Sequence, residues 1–144
     1  LVADVVESEK VAVGEGSVEF LVDVAPSLAI RADHEQLHRV LTNLVRNARQ
    51  AIEATRRPGT IELAGGETEE GWWIRIGDSG PGLPERAREH LYQPFQGGTR
   101  RGGTGLGLAI AAELVRGHVG VLELLKTGKD GTEFMIRLPR ALAA

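Results

Sequence analysis

The 144-residue chain has no cysteine. Disulfides, thiol catalysis and cysteine-ligated zinc are therefore excluded. Aromatic residues make up only 4% of the chain, so its core must be built from Leu, Val, Ile and Ala. No apolar run approaches the ~18 residues of a membrane span. The opening stretch holds Asp4, Glu7 and Glu9 and does not read as a signal peptide. There is no basic excess either: 17 Lys and Arg face 20 Asp and Glu, for a formal net charge of −3. That balance argues against a nucleic-acid interface, which needs a basic patch. A water-soluble, cytoplasmic domain is the expectation, with residues 1–144 forming one unit. Apolar residues are 42%, near the globular norm of roughly 45–50%, so one aliphatic core is within reach. Glycine is the outlier, with 19 residues, roughly twice the usual share.

The apolar pattern orders the chain. Leu1, Val2, Val5 and Val6 follow helical spacing, and Gly14 and Gly16 break it. Val18 to Val24 alternates as a strand, and Leu28 to Arg31 reads as a second one. Asp33 then caps a long helix, with Gln36 at the capping-box position. Its apolar set is Leu37, Val40, Leu41, Leu44, Val45, Ala48 and Ile52, the i, i+3, i+4, i+7 pattern of one buried face. Thr60–Ala64 and Trp72–Gly77 read as a hairpin around a Gly65–Gly71 turn region. Pro84 to Tyr92 reads as a short helix. A glycine-rich loop from Pro94 to Gly103 leads to Leu106–Arg116, apolar on nearly every side and expected to be a buried helix. Val119–Leu125 and Thr132–Leu138 close the chain as two strands. Helices and strands do not alternate strictly. The fold class expected is therefore α/β, a two-layer sandwich of a mixed β-sheet with helices on one face.

Three clusters carry polar chemistry. Asn43 and Asn47 are four apart on the long helix and point the same way. At about 100° per residue they sit at the edge of the apolar stripe. An amide oxygen there can ligate a hard cation such as Mg²⁺, though solvated helix edges carry asparagines too. Asp78-Ser79-Gly80-Pro81-Gly82 follows a strand. Asp78 shares the parity of Trp72, Ile74 and Ile76, so its carboxylate faces inward and needs a partner. A purine amine is one candidate; an ordinary turn has the same composition. Gly102-Gly103-Thr104-Gly105-Leu106-Gly107 alternates glycines directly before a helix. Backbone N–H groups and the helix dipole can meet an anion there, with Arg100 and Arg101 upstream as phosphate partners. It is neither a Walker A loop nor a Rossmann fingerprint.

In this order the clusters resemble the catalytic ATP-binding domain of bacterial sensor histidine kinases, with relatives among the gyrase, heat-shock and mismatch-repair ATPases. Leu37 to Ala48 looks like the N box, Asp78 to Leu83 the G1 box, Leu91 to Phe95 the F box and Gly103 to Ile110 the G2 box. The ending Gly131-Thr132-Glu133-Phe134 through Leu138-Pro139 is similar to the closing strand. The resemblance spans essentially the whole chain and implies a Bergerat-type sandwich that binds ATP and Mg²⁺. It places Asn47 on the metal, Asn43 toward the phosphates and both in the catalytic set. Asp78 would accept from the adenine amine, beside Gly80 and Gly82, and Thr132 would help hold the base. Gly103, Thr104, Gly105, Leu106 and Gly107 would contact phosphates. Residues from about Gln93 to Gly103 would form a mobile lid.

The implied reaction passes the γ-phosphoryl group of ATP to a histidine on a helical dimerisation domain, then to a response regulator receiver domain. The helical domain is absent from this sequence. The isolated domain is expected to be monomeric, within a homodimeric parent whose membrane anchoring stays open. A free-standing serine kinase of the anti-sigma-factor type and a degenerate interaction module share the boxes and stay open. Two departures stand out. Ala51 occupies a position where some relatives stack an aromatic on adenine. His118-Val119-Gly120 replaces a frequent His-Gly-Gly, so Val119 either starts the last pair of strands or marks an altered turn. His118, His38 and His90 are expected to be structural or solvated.

Overall fold

Asp33 opens the longest helix, α1 (His34–Thr55), by accepting the Gln36 N–H at 2.9 Å. The computed structural model describes residues 5–6, 18–24, 33–83 and 106–139. Leu37, Val40, Leu41, Leu44, Val45, Ala48 and Ile52 are all buried on one face of α1, as the periodicity requires. Each large aliphatic side chain so buried stabilises the fold by about 1.5–3 kcal/mol, which outweighs the marginal stability of an isolated helix. The helix ends on Arg56 in the left-handed region, whose N–H donates to the Glu53 carbonyl.

Five strands form one sheet: β1 (Val18–Asp23), β2 (Gly59–Glu67), β3 (Gly71–Asp78), β4 (Val121–Gly128) and β5 (Gly131–Pro139), in the order β1-β2-β3-β5-β4. β1 runs parallel to β2 and the other pairs are antiparallel, so the sheet is mixed. One face is apolar. Trp72, Ile74 and Ile76 of β3 and Phe134, Ile136 and Leu138 of β5 are buried in the same cluster as α1 and as Ala111, Ala112 and Val115 of a second helix, α2 (Leu106–Gly117). The helical residues Val5 and Val6 join that core. The opposite face carries ion pairs: Arg75 with Glu133 at 3.4 Å, Lys126 with Glu133 at 3.9 Å, and Arg137 with Glu123. The period-two alternation of β3 and β5 thus separates core from solvent. Two helices on one face of a mixed sheet match the expected architecture.

Three details differ from expectation. Gly65 and Gly66 lie within β2, and the turn is confined to residues 68–70. A Cβ at Gly66 would come within 2.7 Å of the Trp73 indole nitrogen. The glycine is there for the close approach of an aromatic ring across the strands, not for a turn. α2 is amphipathic rather than apolar all round, with Glu113 and Arg116 paired on its exposed side. Val119 does not start a strand. Its φ is 57°, and its N–H donates to the Arg116 carbonyl at 2.8 Å while the Gly120 N–H donates to the Val115 carbonyl at 2.9 Å. These two bonds define a Schellman end to α2, with valine where glycine is usual.

The strand expected at Leu28–Arg31, the short helix at Pro84–Tyr92 and the lid from Gln93 to Gly103 lie outside the described residues. Among the described residues, no helix is long and apolar enough to cross a membrane.

Candidate functional site

The ends of β3 and β5 meet α1 at one mouth of the sandwich. Asp78 and Thr132 are cross-strand partners, so their side chains lie side by side on the inner face. Thr132 is buried, at 5% exposure. α1 crosses above them and brings Asn47, Ala48 and Ala51. Together with Leu44, Ile76, Leu83, Leu108 and Phe134 these residues line a narrow cavity of about 20 Å³, roughly the room of one water. Its polar side chains are Asn47, Asp78 and Thr132; the rest of the wall is apolar. Apolar walls with a few convergent polar groups are the usual composition of a small-molecule site, though such sites span roughly 300–1,000 Å³.

Asp78 is positioned from its own loop. Its Oδ1 accepts the Gly80 N–H at 2.8 Å, while the Ser79 N–H donates to the Thr60 carbonyl at 3.0 Å and the Thr60 N–H donates to Ser79 Oγ at 2.8 Å. The loop is thereby tied to β2. Gly80 packs on Ala51, and a Cβ there would lie 2.9 Å from Asp78 Oδ1. Gly82 has φ +87°, and a Cβ on it would collide with the Gly128 backbone. Its glycine is required by the turn joining β4 and β5. Ala51 is itself buried in the cavity wall, at the place where some relatives were expected to carry an aromatic.

Asn43 lies one turn before Asn47 on α1. Its Nδ2 is buried and has no hydrogen-bond partner among the described residues. A buried amide left unpaired costs about 1–3 kcal/mol, and such a group in a native protein calls for a partner supplied from elsewhere. Leu106 and Gly107 form the first turn of α2, which packs against α1. Arg100, Arg101, Gly103, Thr104 and Gly105 lie outside the described residues. His118 has a structural place: the Asp33 N–H donates to its Nε2 at 3.1 Å, and its Nδ1 is 2.9 Å from the Leu114 carbonyl. It ties the end of α2 to the start of α1.

Thr127 was missed in the sequence. Its Oγ1 accepts the Leu83 N–H at 2.7 Å and lies 2.9 Å from Thr132 Oγ1. The signal was present in the spacing: two residues separate Gly128 from Gly131, which sets Thr127 opposite Thr132.

This architecture, with an aspartate at a strand end, asparagines along the covering helix and a glycine-flanked second helix, is that of an ATP-binding sandwich. The family model for histidine kinase-, DNA gyrase B- and HSP90-like ATPases matches residues 32–142, and the chain belongs to that family. Within it the similarity runs to histidine kinase catalytic domains. The chain is 40% identical over 133 residues to the sensory histidine kinase/phosphatase NtrB of Salmonella typhimurium, covering 85% of this chain and 37% of that protein. It is 38% identical over 130 residues to the nitrogen regulation protein NtrY of Azorhizobium caulinodans, covering 88% of this chain and 17% of that protein. The chain thus spans well under half the length of these curated relatives. Its structure matches the mycobacterial sensor histidine kinase MprB with a TM-score of 0.75 at 26% identity, over 96% of this chain and 92% of that one.

Proposed function

We propose that this domain binds Mg-ATP in the cleft between α1 and the ends of β3 and β5, and donates the γ-phosphoryl group to a histidine of a helical dimerisation domain. A response regulator receiver domain is the onward acceptor, and the cytoplasm is the compartment. The observation that carries this reading is the meeting of Asp78, Thr132 and Asn47 in one cleft, with the orphaned Asn43 amide one turn further along α1.

The residues suit the nucleotide. Asp78 is an acceptor for the exocyclic amine of adenine, and Thr132 beside it offers a hydroxyl to the ring. Ile76, Leu83, Leu108 and Phe134 supply the apolar walls. Asn43 Nδ2 is a donor for a phosphate oxygen. The donor set also suits Mg²⁺. Among the described residues no group of three or more His, Cys, Asp or Glu could hold a metal. Mg²⁺ does not need one, because it takes one or two protein oxygens together with water and substrate phosphates, and the Asn47 amide oxygen is such a ligand. When bound, the metal neutralises charge on the phosphates.

Phosphoryl transfer is mostly positioning and charge neutralisation, so no nucleophile of this chain is required. Asn43 occupies the place where the resemblance to gyrase-like hydrolases puts a water-activating carboxylate. An amide is no general base, which favours transfer to a partner over hydrolysis. The test is incubation with γ-labelled ATP, Mg²⁺ and a purified helical acceptor domain of a related kinase. Acid-labile, base-stable label on the acceptor, dependent on its histidine, is the expected result. Acid-stable label on a serine would establish a serine kinase instead. No label on any acceptor, together with no nucleotide binding, would reduce the domain to an interaction module.

A further inference from the structure

The nucleotide reading gives Asp78 and Thr132 roles at the base but leaves unexplained what holds them in place. The β4–β5 hairpin turn lies directly behind them. A Cβ on Gly131 would collide with the Asp78 carbonyl, and one on Gly82 would collide with the Gly128 carbonyl. Backbone therefore lies on backbone at two points. Between these points sits a polar link. The Leu83 N–H donates to Thr127 Oγ1 at 2.7 Å, and Thr127 Oγ1 lies 2.9 Å from Thr132 Oγ1. Leu83 and Thr132 both line the cleft, whereas Thr127 does not.

From this geometry we infer that Thr127 is a positioning residue for nucleotide binding, which fixes the direction of the Thr132 hydroxyl and the distance of the Leu83 wall together. The inference rests on the nucleotide reading above. A threonine hydroxyl has one proton and two lone pairs. The Leu83 amide occupies one lone pair of Thr127 Oγ1. Accepting that bond polarises the hydroxyl and makes it a better donor. Either hydroxyl can donate across the 2.9 Å between them, and we take Thr127 as the donor to Thr132 Oγ1 because the Leu83 bond favours that direction. The Thr132 proton is then released from the hairpin and directed at the cleft, beside Asp78. Thr132 so held presents a donor to a ring nitrogen next to the acceptor Asp78 presents to the amine. Without Thr127, Thr132 has no such fixed partner, and the half-buried Leu83 N–H loses its acceptor.

Calorimetric titration with Mg-ADP tests this, on the native chain and on Thr127→Val, Thr127→Ser, Thr132→Val and the Thr127→Val/Thr132→Val pair. Valine keeps the shape of threonine and removes the hydroxyl. Thr127→Val is expected to weaken ADP binding roughly five- to tenfold, the loss of about one neutral hydrogen bond. Thr127→Ser is expected to restore binding to within about twofold. In the Thr132→Val background, Thr127→Val is expected to add a clearly smaller loss than in the native chain, because the Thr132 route is already cut and only the Leu83 wall is left to disturb. A purely structural hairpin role would instead give equal losses with and without Thr132. That result, or native affinity in Thr127→Val, overturns the inference. Amide exchange of Leu83 in the native chain is a second measurement that needs no variant. Slow exchange that slows further with ADP supports the link, and unprotected exchange in both states overturns it. Failure of the nucleotide reading itself looks different: the native chain then gives no ADP isotherm at all.

Discussion

Val119 offers the sharpest stability prediction. It occupies the left-handed position of a Schellman end, with φ at 57°. That conformation puts Cβ too close to the neighbouring carbonyl, at roughly 1–2 kcal/mol for an L-residue, and a β-branched side chain sits at the upper end of the range. Val119 is 64% exposed, so its burial returns only about 0.5–1 kcal/mol of the 1.5–3 kcal/mol available to a fully buried side chain. Glycine removes the strain, but its unfolded chain is freer by about 0.5–1 kcal/mol. Val119→Gly is therefore expected to stabilise the domain by about 0.5 kcal/mol, a rise in Tm of roughly 2 °C for a domain of this size. Urea titration and calorimetry read the change, with Val119→Asn expected between the two because asparagine tolerates this region. A Val119→Gly domain equal to or less stable than the native chain would refute the reasoning. It would mean that the turn relaxes elsewhere, or that the valine contacts outweigh the strain.

Three other outcomes follow from the same structure. Gly120→Ala places a Cβ 2.5 Å from the Arg137 carbonyl and 2.9 Å from a Leu138 methyl; a loss of about 1–3 kcal/mol is expected in the same urea assay. His118→Ala removes the bond that joins the end of α2 to the start of α1 at Asp33, together with the ring's bond to the Leu114 carbonyl within α2, and about 1–2 kcal/mol is expected to be lost, with partial recovery in His118→Gln. Phosphate release by the isolated domain is expected to run far below the ~10 s⁻¹ of a median enzyme, because the domain has Asn43 where a base would be needed. A turnover near that figure in a continuous phosphate assay would contradict the assignment of transfer over hydrolysis.

Local rules made much of this molecule legible. The apolar spacing from Leu37 to Ile52 located α1, and the four-residue offset of Asn43 and Asn47 placed both at the rim of its buried face. Strand parity put Asp78 on the side of Ile74 and Ile76, where it meets Thr132. What escaped the sequence was non-local. Gly66 reads as a turn residue until Trp73 is seen lying over it. Val119 reads as a strand residue because valine favours strands. The pull of the helix end, with Gly120 and Arg137 packed behind it, overrides that preference. His118 reads as structural or solvated, but nothing local names its partner, the Asp33 N–H 85 positions earlier. Thr127 carries no motif, and only the hairpin register sets it against Thr132. Chain order also concealed that β5 inserts between β3 and β4, which is what brings Asp78 and Thr132 together.

The central claim is a nucleotide cleft organised around Asp78, and titration of a fluorescent ATP analogue tests it most directly. The native chain and Asp78→Asn are titrated with and without Mg²⁺, alongside Asn47→Ala. The account predicts saturable binding by the native chain that strengthens with Mg²⁺. Asp78→Asn should abolish it, because the one amide oxygen stays on the Gly80 N–H and the amide NH2 then faces the base amine, donor against donor. Asn47→Ala should keep binding but lose most of the gain from Mg²⁺. Native-like binding by Asp78→Asn, or no binding by the folded native chain under either condition, would contradict it.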